Sequence, residues 1–188
     1  MSVKNDRRIR KSKEALKNSL IELMKDKPVN NITVKELVTA ADLNRSTFYN
    51  YYCDIPDMLE KLEGELYNEF LNILELHINK EGLRHDIYKE VHKFVEDMCD
   101  AIISNMEFCK CIFSKNGDIS FLFKLEELIE NHIKDQLKEY LDGKIDHPTY
   151  VYAFVKSGYI GILKSWMKGG CMESSQEIAN LTYNLVKG

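Results

Sequence analysis

Apolar residues recur at intervals of three and four along most of the chain, the period of an α-helix with one buried face. Helices are predicted over residues 10–25, 54–77, 84–104, 119–141, 148–168 and 174–187. Pro or Gly interrupts the period at Lys27-Pro28, Glu81-Gly82, Asn116-Gly117, Asp142-Gly143 and Gly169-Gly170, where breaks are expected. No strand signal is present, so the sequence predicts an all-α fold.

The stretch from Thr33 to Tyr52, TVKELVTAADLNRSTFYNYY, predicts two short helices joined by a tight turn. Thr33 followed by Glu36 forms a capping box, which opens a helix. Asn44 is a good N-cap for the second helix, as expected of a helix-turn-helix unit. The residues expected to form the core of a three-helix module are Leu16, Leu20, Ile32, Leu37, Leu43 and Phe48.

The second short helix has a polar outer face. Phe48 and Tyr52 lie four residues apart and share the inner face of the helix. An outward set of Arg, Ser, Thr, Tyr and Asn stabilises a fold poorly, but it suits phosphates and base edges in a DNA major groove. The alternative to DNA binding is a helical hairpin whose polar face is simply exposed to solvent. The outward residues are Arg45, Ser46, Thr47, Tyr49 and Asn50.

This segment resembles the DNA-binding signature of TetR-family repressors, in which a Thr-capped helix leads through Ala-Gly-Val-Ser to an Arg-Gly-Thr-Phe/Leu-Tyr recognition helix. Asp42 stands where the family usually has Gly, so the resemblance implies a left-handed or near-left-handed backbone there, which Asp tolerates better than most residues. The family's common phosphate-binding Lys is replaced by Cys53-Asp54-Ile55-Pro56, so that contact is not carried over. The resemblance implies an operator-binding surface to which Thr33 and Tyr51 also belong, with residues 1–53 as the DNA-binding domain.

Charge is distributed unevenly along the chain. The net charge is −4, yet residues 1–54 carry eleven Lys and Arg against seven Asp and Glu, while the remainder carries fifteen against twenty-three. The basic excess lies near the amino terminus, where it predicts an arm attracted to DNA phosphates. A solvated, partly frayed terminus is the alternative. The arm residues assigned to DNA are Arg7, Arg8, Arg10 and Lys11.

Residues 54–188 are expected to form an all-α ligand-binding and dimerisation domain. In the predicted helix 148–168, Gly158, Gly161 and Ser165 allow close approach of another helix, and Ile162 and Trp166 add apolar area. With the helix that follows, this segment resembles the C-terminal pair through which TetR-family proteins form a homodimer. The alternative is that these small residues allow close packing of helices within one chain, for which they are equally suited.

The resemblance further implies that a small ligand in the C-terminal helices releases the operator. Aromatic and Met side chains are candidates to line a pocket for an apolar or aromatic molecule, although each suits a core equally well. The alternative function is an adaptor or co-activator regulated by a protein partner instead of a small ligand. The candidate pocket residues are Phe94, Met98, Phe108, Phe121, Tyr152 and Tyr159.

The sequence gives little support for membrane, redox, metal-binding or enzymatic functions. No apolar run approaches a membrane span and no signal peptide is evident, so a cytoplasmic protein is expected. The five cysteines are expected to be reduced thiols. A redox or thiolate-metal role is only weakly indicated for Cys109 and Cys111. A metal site is only weakly indicated for His85, His92 and Cys99, which are seven residues apart. No cofactor, metal or enzymatic activity is expected, because no phosphate loop, nucleophile elbow or carboxylate pair is present.

Overall fold

The computed structural model describes residues 3–77, 80–114, 116–118, 120–130 and 147–187, leaving out the side chains of 3–5, 80–88, 148, 186 and 187. All regular secondary structure in these ranges is helical, so the predicted all-α fold is confirmed. The helices are α1 Val3–Asp26, α2 Val34–Ala40, α3 Arg45–Tyr49, α4 Ile55–His77, α5 Lys80–Ser104, α6 Met106–Ile112, α7 over residues 120–130, α8 Pro148–Lys168 and α9 Ser175–Lys187, with a 3-10 turn at Val29–Asn31.

The chain divides into two compact units. The first unit contains Met1–Leu66 and Cys111–Ile119, and the second contains Tyr67–Lys110 and Ser120–Gly188. The later segment joins the first unit through contacts with α1, since the Asn116 amide donates to the Met24 carbonyl at 3.3 Å. The division into a DNA-binding domain 1–53 and a regulatory domain 54–188 concerns function and stays a prediction.

The first unit has the small core that the sequence predicted, with one exception. Leu16, Leu20, Ile32, Leu37 and Phe48 are each at most 5% exposed. Leu43 is only half-buried, because it lies in the turn and is held mainly by its backbone, whose N–H donates to the Val38 carbonyl at 2.9 Å.

Both ends of α1 are informative. The helix ends at Asp26, as expected just before Pro28, because proline disfavours helical backbone in the residue that precedes it. Its start at Val3 corrects the predicted start near residue 10. Extending an existing helix costs far less than nucleating one, so the polar residues before the apolar stripe continue it.

Helix α4 begins as the sequence predicted. The Asp54 carboxylate accepts from the amide of Asp57 at 2.8 Å, and Pro56 occupies the first turn, where its missing N–H is not needed. The stripe on its inner face is buried and consists of Met58, Leu59, Leu62, Leu66, Phe70 and Leu74.

In the second unit, α5 packs against α9. The buried face of α5 includes Phe94, Met98 and Cys99, and that of α9 includes Ile178 and Ala179. Fully burying a large apolar side chain stabilises a fold by about 1.5–3 kcal/mol. Burial of these side chains therefore stabilises the second unit, to which both helices belong.

Polar contacts fix the register of α5 and α9. The Ser175 hydroxyl donates to the carboxylate of Asp100, and His92 Nε2 lies 2.9 Å from the Asn180 side-chain oxygen. The predicted capping box of α9 is also present: the Ser174 N–H donates to the Glu177 carboxylate at 2.8 Å, and the Glu177 N–H donates to the Ser174 hydroxyl at 3.3 Å.

Two predictions about this region were wrong or incomplete. The expected break at Glu81-Gly82 is absent, since both residues lie inside α5; one glycine costs only about 1 kcal/mol relative to Ala, which a long helix tolerates. The seven-residue α6 was not predicted, because two turns are too short to show a period. The predicted helix 119–141 is helical over 120–130; its remainder and the Asp142-Gly143 break lie outside the described residues.

Two predicted breaks are turns in the structure. A Cβ atom at Gly117 would lie 1.8 Å from the carbonyl oxygen of Ile112, so only glycine fits this turn. After α8, Gly170 has a φ of 91°, a conformation that glycine adopts at little cost. Among the described residues, no helix is both long enough and apolar enough to cross a membrane.

Candidate DNA-binding and regulatory sites

The first of the two short helices, α2, opens with the predicted capping box. The Thr33 hydroxyl accepts from the amide of Glu36 at 3.2 Å, and the Glu36 carboxylate accepts from the Thr33 amide at 2.9 Å and its hydroxyl at 2.7 Å. Both polar hydrogens of Thr33 are therefore used within the cap. A phosphate contact by Thr33, as predicted, would have to replace one of these bonds.

Lys27 extends this cap. Its ammonium lies 2.6 Å from the Glu36 carboxylate. Hydrogen bonds from Lys27 and then from Thr33 lower the pKa of Glu36 from its ordinary value of 4.5 to about 2. The carboxylate therefore stays ionised, and it ties the turn before α2 to the start of the helix.

We expect Thr33→Ala to lower the free energy of unfolding by about 1 kcal/mol, because it removes the N-cap acceptor of α2. Glu36→Gln should also destabilise the protein at neutral pH. Since folding lowers the pKa of Glu36, its contribution is complete above pH 4.5 and is lost as pH falls towards 2. Urea unfolding across this range should show the difference from wild type shrinking. The exposed Glu14, replaced by Gln, is the control; an undiminished difference at low pH would contradict the role of the Glu36 charge.

The turn between α2 and α3 has the predicted conformation. Asp42 has a φ of 52°, in the left-handed region that Asp tolerates better than most residues. Asn44 then caps α3, because its side-chain oxygen accepts from the amide of Thr47 at 2.8 Å. Cap and turn together fix the direction in which α3 leaves α2.

The inner side of α3 is aromatic. Phe48 is fully buried and Tyr52 is 5% exposed, with their ring centroids 5.6 Å apart. Burial raises the pKa of Tyr52 to about 12, so its phenol stays neutral. These two rings anchor α3 and set which face it turns outward.

The outer side of α3 carries the predicted polar set. Arg45, Tyr49 and Asn50 are exposed, Tyr49 by 56%. The hydroxyls of Ser46 and Thr47 both donate to the Asn44 side-chain oxygen, at 2.6 and 2.9 Å. Because those two protons already serve the cap, Arg45, Tyr49 and Asn50 are the members best placed to donate to DNA.

Tyr51 is half-buried, unlike these outward residues. The ammonium of Lys13 lies 5.8 Å from the centre of its ring, and its carbonyl accepts from Lys61 at 3.1 Å. Lys61 also binds Asp57 at 2.9 Å. Sequence reasoning counted Lys13 only as part of the basic amino terminus and missed Lys61, because no motif reveals which residues such side chains contact in space. Lys61 links the end of α3 to α4.

The basic amino-terminal residues lie on α1. Arg7, Arg8, Arg10 and Lys11 are all exposed. Arg7 and Lys11 are four residues apart, so they share one helix face. The predicted arm is therefore the positively charged end of a helix.

In the second unit, the small residues of α8 form an exposed strip. Ser157, Gly158, Gly161 and Ser165 are exposed, and a Cβ atom added at either glycine would meet no described atom within 4 Å. The described part of the chain thus provides no close packing for this strip. We call Ser157, Gly158, Gly161 and Ser165 the α8 strip.

Large apolar side chains are also exposed on α8 and α9. On α8, Tyr150 is 75% and Phe154 is 79% exposed, and they precede Gly158 at intervals of four residues, so they share the helix face of the α8 strip. On α9, Leu181 is 47% and Leu185 is 63% exposed. An exposed helix face that combines large apolar and small residues is typical of an interaction surface.

Two predicted interface residues differ from the strip. Ile162 is half-buried. Trp166 is 4% exposed, and its indole N–H donates to the Glu173 carbonyl at 3.0 Å. Trp166 therefore packs in the core of its own chain and closes the α8–α9 turn, and a role for it at an interface stays a prediction.

The predicted pocket residues lie inside the second unit. Phe94, Met98, Phe108, Phe121 and Tyr159 are at most 8% exposed, and Tyr152 is half-buried. The rings of Phe94 and Tyr159 are brought together, with their centroids 6.2 Å apart. This pair joins α5 to α8.

None of the five cysteines, all of which the structure describes, forms a disulfide bond. Cys109 and Cys111 are buried, and burial raises the pKa of Cys99 to about 12, which makes its thiolate scarce. The side chain of His85 lies outside the described residues, and His92 is bonded to Asn180. Within the described ranges, no group of three or more His, Cys, Asp or Glu side chains is arranged to hold a metal ion.

Comparison with known families and proteins adds two findings. Residues 89–188 match a family model described as a transcriptional regulator C-terminal region. A segment of 73 residues is 36% identical to YxbF of Bacillus subtilis strain 168, an uncharacterized HTH-type transcriptional regulator. That alignment covers 35% of this chain and 19% of the length of YxbF.

Solved structures share the fold. A TetR transcriptional regulator from Streptococcus agalactiae 2603V superposes with a TM-score of 0.59 at 22% identity over 97% of both chains. The fatty acid degradation regulator FadR from Bacillus halodurans gives 0.66 at 12% identity, covering 94% of this chain and 95% of its own. The dihydroxyacetone kinase operon activator DhaS gives 0.56 at 19% identity over 93% of both chains.

Proposed function

Because this chain belongs to the TetR family of transcriptional regulators, we propose that it binds an operator as a homodimer and represses transcription. The matched family model is that of a TetR C-terminal region and covers more than half of the chain. Regulators of this family bind DNA and usually dimerise. The proposal further holds that a small apolar or aromatic ligand in the C-terminal helices releases the operator.

The outward face of α3 carries this proposal. Arg45, Tyr49 and Asn50 point away from a helix that Phe48 anchors and Asn44 caps. An Arg fork can donate two bonds to a guanine edge, while a tyrosine hydroxyl or an amide can donate to phosphate. A rigid helix with these donors is suited to a major groove.

A dimer supplies the second half of the site. One helix-turn-helix of this size covers one half-site, and two copies about a two-fold axis cover a palindrome. The α8 strip and the apolar side chains of Tyr150 and Phe154 on the same helix are exposed in one chain, which supports their use against the same face of a second copy.

The test is a gel shift on DNA from immediately upstream of the protein's own gene. We expect a retarded complex that survives competitor DNA and that candidate apolar metabolites dissociate. In a reporter strain, deleting the gene should raise transcription from that promoter. Absence of sequence-preferring binding would overturn the operator assignment, and lowered transcription on deletion would overturn repression.

The basic end of α1 gives a separate prediction. Removing residues 1–9 should weaken binding to all DNA sequences alike, because Arg7 and Arg8 provide attraction to phosphate and no base reading. The slope of log affinity against log salt should become shallower by about 0.9 for each phosphate that the truncated protein no longer neutralises. Lys168→Ala, a change of one exposed charge in the second unit, is the control. An unaltered salt slope after truncation would remove the α1 end from the interface.

A further inference from the structure

Two buried tyrosine hydroxyls in the second unit have no hydrogen-bond partner among the described residues. Tyr159 is 8% exposed and Tyr152 is half-buried. Neither Oη atom has a partner within the part of the chain that the structure describes. Folded proteins bond nearly all of their buried polar groups, and an unmet one lowers stability. Each hydroxyl can therefore still form a hydrogen bond with a bound molecule.

Both hydroxyls arise from the same side of α8. Tyr152 and Tyr159 are seven residues apart, which places their backbones about 10 Å apart along one helix face. The ring of Tyr159 packs against that of Phe94, and the Phe94 ring also lies 6.4 Å from that of His77 between centroids. Burial raises the pKa of Tyr159, and Cys99 lies close enough to raise it as well. Aromatic rings therefore pack beside the deeper of the two tyrosines.

Charged groups beside these tyrosines are already paired. Near Tyr152, Lys156 binds Glu130 at 2.8 Å, and near Phe94 the carboxylate of Asp97 binds His77 at 2.6 Å and Lys93 at 2.9 Å. A charged occupant would lose its hydration without gaining an unpaired counter-charge. The surroundings of the two tyrosines therefore favour a neutral ligand over a charged one.

Both phenols act as donors. Burial raises the pKa of Tyr159 well above its ordinary value of 10, and burial followed by the charge of Glu130 raises the pKa of Tyr152 to about 12. Each hydroxyl keeps its proton at physiological pH and offers it to an acceptor.

We propose that the regulatory ligand is a neutral molecule with an apolar, aromatic-sized body and an oxygen acceptor, such as a carbonyl, that Tyr159 binds. Tyr152 marks a second polar point two helical turns away, which a longer ligand also reaches. This assignment rests on the proposed ligand release and specifies the chemistry that the site recognises.

The first test needs no ligand. In the unliganded full-length protein, Tyr159→Phe removes an unbonded buried hydroxyl and keeps the ring, so the melting temperature should rise by about 2–4 °C. Tyr183→Phe on α9, whose half-buried ring contacts His92, should give no such gain. A lowered melting temperature for Tyr159→Phe would show that the hydroxyl is already bonded in the unliganded chain and would overturn the proposal.

The second test uses three probes of similar size: acetophenone, ethylbenzene and benzoate. By calorimetry, wild type should bind acetophenone most tightly, because only this probe is neutral and carries an acceptor. Tyr159→Phe should weaken acetophenone binding about five-fold and leave ethylbenzene unchanged. Equal weakening for both probes, a preference for benzoate, or no binding of acetophenone up to its solubility would each overturn the ligand class.

Gel shifts on the same samples separate this inference from the proposed function. Both tyrosine variants should retard operator DNA as wild type does when no probe is present. If wild type fails to bind DNA, the proposed function fails whatever the probes do. If DNA binding is intact and the probes do not discriminate, the ligand class fails and the operator function stands.

Discussion

Gly161→Glu is expected to produce a monomer that no longer retards operator DNA and keeps its helical circular dichroism. In one chain the substitution meets open space, and replacing a helical glycine stabilises the helix by up to about 1 kcal/mol. In an isologous dimer, each new carboxylate would be buried at the axis beside its copy. The variant therefore opposes assembly while favouring the fold.

Sedimentation velocity and a gel shift together check this result. Gly64→Glu is a matched control, because Gly64 also lies inside a helix and a Cβ atom there meets no described atom within 4 Å. That control should stay dimeric and bind DNA. If Gly161→Glu sediments as a dimer, the interface lies elsewhere, and the α8 strip has another use.

Arg45→Ala is expected to weaken operator binding by about 1–3 kcal/mol, or roughly 5-fold to 150-fold, if its guanidinium reads a base edge. Stability should hardly change, because the side chain is exposed and Phe48 keeps its place in the core. Arg45→Lys should restore little, since an ammonium cannot reproduce the two-pronged bond.

Binding to operator variants separates base reading from phosphate contact. Arg45→Ala should lose discrimination at one base pair of each half-site, whereas Tyr49→Phe should weaken all sites alike and by less. The control is again Lys168→Ala, which removes one exposed charge from the second unit. Wild-type affinity in both α3 variants would remove this helix from the interface.

The details that sequence predicted well are short-range. A capping box needs two side chains three residues apart, and Thr33 with Glu36 and Ser174 with Glu177 both form one. The left-handed conformation of Asp42 was implied by the family's glycine at this position, and local sterics allow Asp to adopt it. Helix limits are less local: α1 starts at Val3 and α5 continues through Gly82, because a helix already formed propagates through poor residues.

Features that depend on what surrounds a side chain were less accessible to sequence reasoning. Trp166 and Gly161 share one helix, yet Trp166 faces its own core and Gly161 faces outward. The use of the Ser46 and Thr47 protons by Asn44 depends on rotamers. A buried hydroxyl without a partner, as at Tyr159, is defined by its neighbours in space and leaves no pattern along the chain.

The position of Trp166 makes the two units optically distinguishable. It is the single tryptophan of the chain and lies buried in the second unit. Indole emission therefore reports on that unit alone, while circular dichroism reports on both. During urea unfolding, coincident curves from the two signals would show that the units unfold together. An ellipticity step with unchanged emission would show the first unit melting while the second remains folded.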